Sequence, residues 1–178
     1  VAVTEFRRVL FRSALIDGIL QYSRAGHARE KHATVDLDER VRSIIDLLAP
    51  PKHISVTIDT KLPTVVCEPT RVAQVFQNLI GNAIKYMDKP QGEIHVNAVR
   101  DGAFWKFSIA DNGPGIEAKY FEKIFQLFQT LQARDDVEST GVGLSVVKRI
   151  VEMNAGTIWV ESQPDRKSTR LNSSHGYI

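Results

Sequence analysis

The chain has 178 residues, 43% of them hydrophobic, which is enough for one compact domain and a little more. Its single cysteine, Cys67, excludes an internal disulfide and reads as a small buried residue suited to a reducing compartment, and no apolar run approaches the roughly 18 residues of a membrane span. The formal net charge of +2 comes from the ends: without residues 1–13 and 166–178, 17 basic and 20 acidic residues leave the body mildly acidic, so no nucleic-acid partner is inferred.

Those two ends continue neither the helical pattern after residue 14 nor the strand pattern before residue 164, and they read as a non-native or disordered leader and tail. Residues 14–24, ALIDGILQYSR, put Leu15, Ile16, Ile19, Leu20 and Tyr22 on one helical face, and Gly26 to Ala33 form a polar linker. Asp36 or Asp38 can cap a helix running through Leu48, with Leu37, Val41, Ile44, Ile45 and Leu48 turned to the core and Pro50-Pro51 as its stop. Ile54, Val56 and Ile58 alternate as a strand, and Pro63 to Val66 adds a short one.

The helix expected over Arg71 to Lys85 is the centre of the pattern. Val72, Phe76, Leu79, Ile80, Ala83 and Met87 share a broad apolar face, while Arg71, Gln74, Asn78, Asn82 and Lys85 form a polar stripe. Asn is a poor helix former, so two Asn four residues apart with Lys one turn on are either ligands for a hard cation and phosphate oxygens or a merely solvated face.

Pro90-Gln91-Gly92 is a turn, and Glu93 to Arg100 pairs with Ala103 to Ala110 as a hairpin through Asp101-Gly102. The second strand runs into DNGPGI, Asp111 to Ile116, which puts an acid at a strand end. In place of a further strand the chain continues into FEKIFQLFQ, then a polar stretch from Gln132 to Thr140. Gly141 and Gly143 open a helix whose Leu144, Val147, Ile150 and Val151 share a face, with Gly156 as its C-cap. Glycines at a helix N-terminus let backbone N–H groups approach phosphate. Thr157 to Glu161 supplies another strand. The expected fold is a two-layer α/β sandwich: a mixed, mainly antiparallel sheet with helices packed on one face. Neither the GxxxxGK(S/T) loop nor the dinucleotide fingerprint fits, since the Gly141-x-Gly143 pair follows a charged loop and lacks a third glycine.

In this order, QNLIGNAIKY, DNGPGI, FEKIFQLF and TGVGL resemble the four boxes of the histidine-kinase ATP-binding domain, in the superfamily shared with gyrase, heat-shock-90 and mismatch-repair ATPases. The resemblance covers about Thr34 to Pro164 and is nearest to bacterial sensor kinases that follow phytochrome or PAS-type modules. It implies ATP and Mg²⁺ as cofactors and an ATP lid loop before Gly141. It implies that Asn82 holds Mg²⁺, that Asn78 lines the same face, and that Lys85 contacts phosphate, these three being the catalytic set. Tyr86 matches an adenine-side residue or packs on the sheet; Asp111 matches the acceptor of the adenine amino group. Gly113 and Gly115 let the backbone pass close to base and ribose, Gly141, Gly143 and Leu144 face the triphosphate, and Ile116, Phe125, Thr140 and Val142 complete the lining. Phe121, Phe125 and Phe128 stand at near-helical spacing, best described as ordinary packing even if they also hinge the lid. Lys123 and Arg134 are lid candidates or solvated charges.

The ATPase relatives carry a general-base Glu where this chain has Asn78, so poor hydrolysis is expected, and phosphoryl transfer by positioning and charge neutralisation instead. The implied enzyme is a protein-histidine kinase fragment: residues 14–33 would be the end of a dimerisation helix and a linker, and 34–165 the catalytic domain, with its last strand missing and a sheet edge exposed. Of the five histidines, His175 lies in the tail, His53 in the Pro-Pro turn and His95 within a strand, while His27 and His32 sit in the linker with no acid directly after them, so the acceptor His is expected on a dimerisation helix outside this chain. The implied partners are that helix, a response regulator and, in the parent, a second subunit in a homodimer. The fragment itself is expected to be cytoplasmic without membrane contact, or to be the cytoplasmic part of an anchored parent. The alternatives are a serine-kinase anti-sigma factor, which should lack a dimerisation helix, and a non-catalytic ATP-binding module, which would show broken boxes.

Overall fold

The structure, a computed structural model, describes residues 31–129 and 141–162 and the backbone of 172–173. The helix end read at 14–24, most of the linker, Arg134, Thr140 and the rest of both ends lie outside these residues.

Helix α1 (Leu37–Leu48) starts where Asp36 Oδ1 accepts from the N–H groups of Asp38 and Glu39 at 2.9 and 3.2 Å, which decides between the two candidate caps. Asp38 instead pairs with Arg42 at 2.8 Å and accepts from Leu62 N–H. Helix α2 (Pro69–Lys85) begins on a proline, whose fixed φ suits a first turn and whose missing N–H costs nothing there. Helix α3 spans Gly143–Met153. The strands are β1 (Ala33–Asp36), β2 (Ile54–Ile58), β3 (Thr64–Cys67), β4 (Gly92–Asp101), β5 (Phe104–Asp111), β6 (Val160–Glu161) and β7 (Asn172–Ser173).

The main sheet has the order β2-β4-β5-β7-β6; β2 and β4 are parallel and the other pairs antiparallel, while β1 and β3 form a separate antiparallel ribbon. Alternation along β4 and β5 turns Ile94, Val96, Ala98, Phe107 and Ile109 into the core, where Val72, Phe76, Leu79 and Ile80 of α2 and Val146, Val147 and Ile150 of α3 cover them. Phe76 meets Phe107 edge to face with centroids 5.7 Å apart, joining helix layer to sheet layer. The two-layer architecture is therefore the one the patterning implies.

Five details differ. Strand β1, Ala33–Asp36, is not anticipated; it takes only the last linker residue, Ala33, and otherwise lies between the linker and α1. Arg71 does not belong to the polar stripe: it is buried and paired with Glu68 at 2.9 Å, one turn back. The last strand before the tail is only two residues long. The left-handed residue ending α3 is Ala155 (φ 55), and Gly156 comes after it, donating to Val151 O at 2.9 Å. Finally, two residues of the tail, Asn172–Ser173, form β7 between β5 and β6.

Candidate functional site

Helix α2 carries the core on one face and the site on the other. Asn78, half-buried, donates through Nδ2 to Gln74 O at 2.8 Å, which fixes its amide and turns Oδ1 toward α3. A Cβ on Gly143 would lie 2.6 Å from that oxygen, so glycine at the first residue of α3 is what lets the Asn78 amide sit where it does. Val142, at the cap position of α3, offers no side-chain acceptor, and Ser145 Oγ donates to Val142 O, so among the described residues no side chain is seen to cap the first N–H groups of the helix. One turn past Asn78, the half-buried side-chain amide of Asn82 makes no hydrogen bond among the described residues. Lys85 is exposed, with Nζ 6.0 Å from the centroid of the Tyr86 ring.

The second part is built where β5 ends. Asp111 is only 7% exposed and accepts from Gly113 N–H at 2.9 Å. Burial raises its carboxyl from the ordinary 3.8 to about 6; the Gly113 N–H opposes that shift, and the nearby Asp88 charge adds to it. A Cβ on Gly113 would stand 2.8 Å from Asp111 Oδ1 and 3.8 Å from Tyr86 O, so this loop closes directly on the end of α2. Gly115 has φ 75, in the region that favours glycine.

Two residues absent from the expected set hold this loop. Asn112 Oδ1 accepts from Glu93 N–H at 2.8 Å and its Nδ2 donates to Gln91 O at 3.0 Å, while Ser162 Oγ accepts from Ile116 N–H at 2.8 Å. Asn112 reads as turn chemistry in sequence, and Ser162 gives no signal, because its partner is 46 residues away.

The third part is where the chain turns at Phe128 and meets Gly141. Phe121, Phe125 and Phe128 do not form a helix: there are two single 3₁₀ turns, Ala118–Tyr120 and Lys123–Phe125, and Phe128 is left-handed (φ 64) and 43% exposed, so ordinary packing does not describe it. Its N–H donates to Gly141 O at 2.9 Å, and a Cβ on Gly141 would lie 2.7 Å from both Phe128 C and Gln129 N. Phe125 and Ile116 are half-buried. Val142 is buried and Leu144 packs on the core, which leaves their backbones, not their side chains, for a ligand. Lys123 lies 5.9 Å from the Tyr120 ring centroid.

The structure thus joins Asn78 to Gly143, Tyr86 to Gly113 and Asp111, and Phe128 to Gly141. The first two junctions are eight residues apart on α2, about 12 Å along its axis. A buried carboxylate at one end and a glycine-led helix N-terminus at the other bound one face of an α/β sandwich.

Comparison with known proteins places that domain. A profile for the "Histidine kinase-, DNA gyrase B-, and HSP90-like ATPase" family matches residues 67–172. Cyanobacterial phytochrome A from Nostoc sp. is 38% identical over 159 residues, covering 87% of this chain and 20% of the relative. Phytochrome-like protein Cph1 from Synechocystis sp. is 35% identical, covering 90% and 22%. Among solved structures, full-length ShkA in complex with AMPPNP superposes with a TM-score of 0.76 at 26% identity, covering 99% of this chain and 38% of that one. The catalytic domain of the histidine kinase ThkA gives 0.66 at 26% identity, covering 82% and 95%. The chain belongs to the histidine kinase-, DNA gyrase B- and HSP90-like ATPase family, as a catalytic domain of the sensor histidine kinase type. It spans about a fifth of the length of those two phytochrome relatives.

Proposed function

We propose that this chain binds Mg²⁺-ATP and is the catalytic domain, residues 34–165, of a protein-histidine kinase that passes the γ-phosphoryl group to a His on a dimerisation helix. The observation that carries the reading is the seat of Asn78 against Gly143, which brings the polar face of α2 onto the open N-terminus of α3. A triphosphate laid there would meet backbone N–H groups at the positive end of a helix, with Lys85 to neutralise further charge. The residues also fit a cation: Asn82 offers an amide oxygen with no other described partner, and among the described residues no group of three His, Cys, Asp or Glu would compete for the ion. When bound, Mg²⁺ would supply charge neutralisation on the phosphate oxygens. Asp111, with its free lone pairs in a poorly solvated setting, would accept from an adenine amino group, and Gly113 and Gly115 admit the base close to backbone.

Asn78 decides between water and protein as acceptor. An amide takes up no proton at neutral pH, and its Nδ2 is already committed to Gln74 O, so it can position but not deprotonate a water. Transfer to a His, whose ring nitrogen brings its own lone pair, needs no such base. A response regulator as the next acceptor, homodimerisation through the helix of the parent, and a cytoplasmic setting complete the proposal. Among the described residues no helix is long and apolar enough to cross a membrane.

Calorimetric titration with ATP, with and without Mg²⁺, is the test. Micromolar-range binding that strengthens with Mg²⁺ in the native chain, and loses that strengthening in Asn82→Ala, is the expected result. Equal affinity with and without the ion, or an unaffected Asn82→Ala variant, would remove the metal assignment; no binding at all would remove the function.

A further inference from the structure

The loop that ends in Ile116 has little internal means of holding its shape. Gly113, Pro114 and Gly115 have no side chain that can form a hydrogen bond, and the bond from Gly113 N–H to Asp111 Oδ1 is local. Its geometry is imposed from outside. At the front, Asn112 is folded back on the start of β4 by three bonds: Oδ1 from Glu93 N–H at 2.8 Å, Nδ2 to Gln91 O at 3.0 Å, and its own N–H to Glu93 O at 3.1 Å. At the back, Ile116 N–H is held at 2.8 Å by Ser162 Oγ, on the residue after β6.

We infer that Asn112 and Ser162 are positioning residues for nucleotide recognition, fixing the two ends of the Gly113–Gly115 backbone so that it and Asp111 present a preformed edge to the base. The inference rests on the nucleotide-binding function proposed for this chain. Both side-chain arms of Asn112 are engaged with β4 and its approach, so it acts through the loop and not on the ligand. With either tether cut, the binding-competent loop is one conformer among several, and apparent affinity falls in proportion to its population.

The test compares the native chain with Ser162→Ala, Asn112→Ala and the conservative Ser162→Thr, using Mg²⁺-ADP and Mg²⁺-GDP titrations well below each variant's melting temperature. Amide hydrogen exchange at Ile116 in the nucleotide-free protein is measured alongside. Losing one tether should weaken ADP binding about five- to tenfold, on the scale of one net hydrogen bond. It should also narrow the preference for ADP over GDP and, in Ser162→Ala, accelerate exchange at Ile116 by a similar factor. Ser162→Thr should restore all three. A native chain that binds ADP while both alanine variants keep its affinity and preference would overturn the inference and leave the proposed function standing. A native chain that binds neither nucleotide would overturn both. Should Asn112→Ala fail to fold, the Ser162 pair decides the matter alone.

Discussion

Asp111 holds its site at a cost to the fold, and that cost can be measured. With its carboxyl raised from 3.8 in the unfolded chain to about 6 in the folded one, the native state binds the proton more tightly than the unfolded state. Stability from this group is therefore fully present below pH 3.8 and is lost as pH rises through 6. Two pH units between the states correspond to about 3 kcal/mol of destabilisation at pH 7.5, shrinking to about 1 kcal/mol at pH 4.5. Asp111→Asn removes the buried charge and keeps an oxygen for Gly113 N–H. It should therefore gain up to about 3 kcal/mol at pH 7.5, less whatever strength that hydrogen bond loses on becoming neutral. Urea unfolding of both proteins from about pH 4.5 to 8 is the assay, since their difference cancels the groups they share. A variant no more stable than the native chain at pH 7.5, or a gain that fails to shrink toward about pH 4.5, would refute the reasoning. The same substitution should weaken ATP binding and erode the preference for ATP over GTP, because an amide can point a donor where the base already donates.

Gly143→Ala would drive a methyl to 2.6 Å from Asn78 Oδ1, so Asn78 must swing away. Stability should change by less than about 1 kcal/mol, alanine being the better helix former, while ATP affinity falls at least about tenfold; thermal melts and titration separate the two. Phe76→Ala, at the contact between layers, should cost about 3–5 kcal/mol in chemical denaturation. Incubation of the chain with radiolabelled ATP should give no acid-labile label, and label should appear once a hairpin carrying an acceptor His is added; label mapping to His27 or His32 would contradict this.

Much of the site was legible because α2 obeys one period over seventeen residues. Val72, Phe76, Leu79, Ile80 and Ala83 are buried as the spacing requires, and Asn78 and Asn82 fall on the other side. Arg71 escaped the same rule because a helical wheel gives angle but not depth: at the first turn, Glu68 supplies a buried partner that no periodicity reveals. Strand β1 was illegible since four residues alternate too briefly, and its partner β3 lies beyond a whole helix and strand. Ordinary packing failed at Phe128 because that residue lies beyond the second 3₁₀ turn, in a left-handed conformation that aromatic spacing does not signal. The tethers from Asn112 and Ser162 are tertiary facts; Asn-Gly after a strand carries a hairpin signal that masks the first, and the second is a lone hydroxyl.

The bond from Phe128 N–H to Gly141 O brings two points of the chain thirteen residues apart into contact. For a chain joined at both ends, closure entropy grows only with the logarithm of length, about 0.6 kcal/mol for each doubling. Length and composition between these two stems are thus nearly uncoupled from the stability of the domain below. Insertions between Phe128 and Gly141 should therefore shift the melting temperature of this chain little, provided that the left-handed pair at the neck is kept.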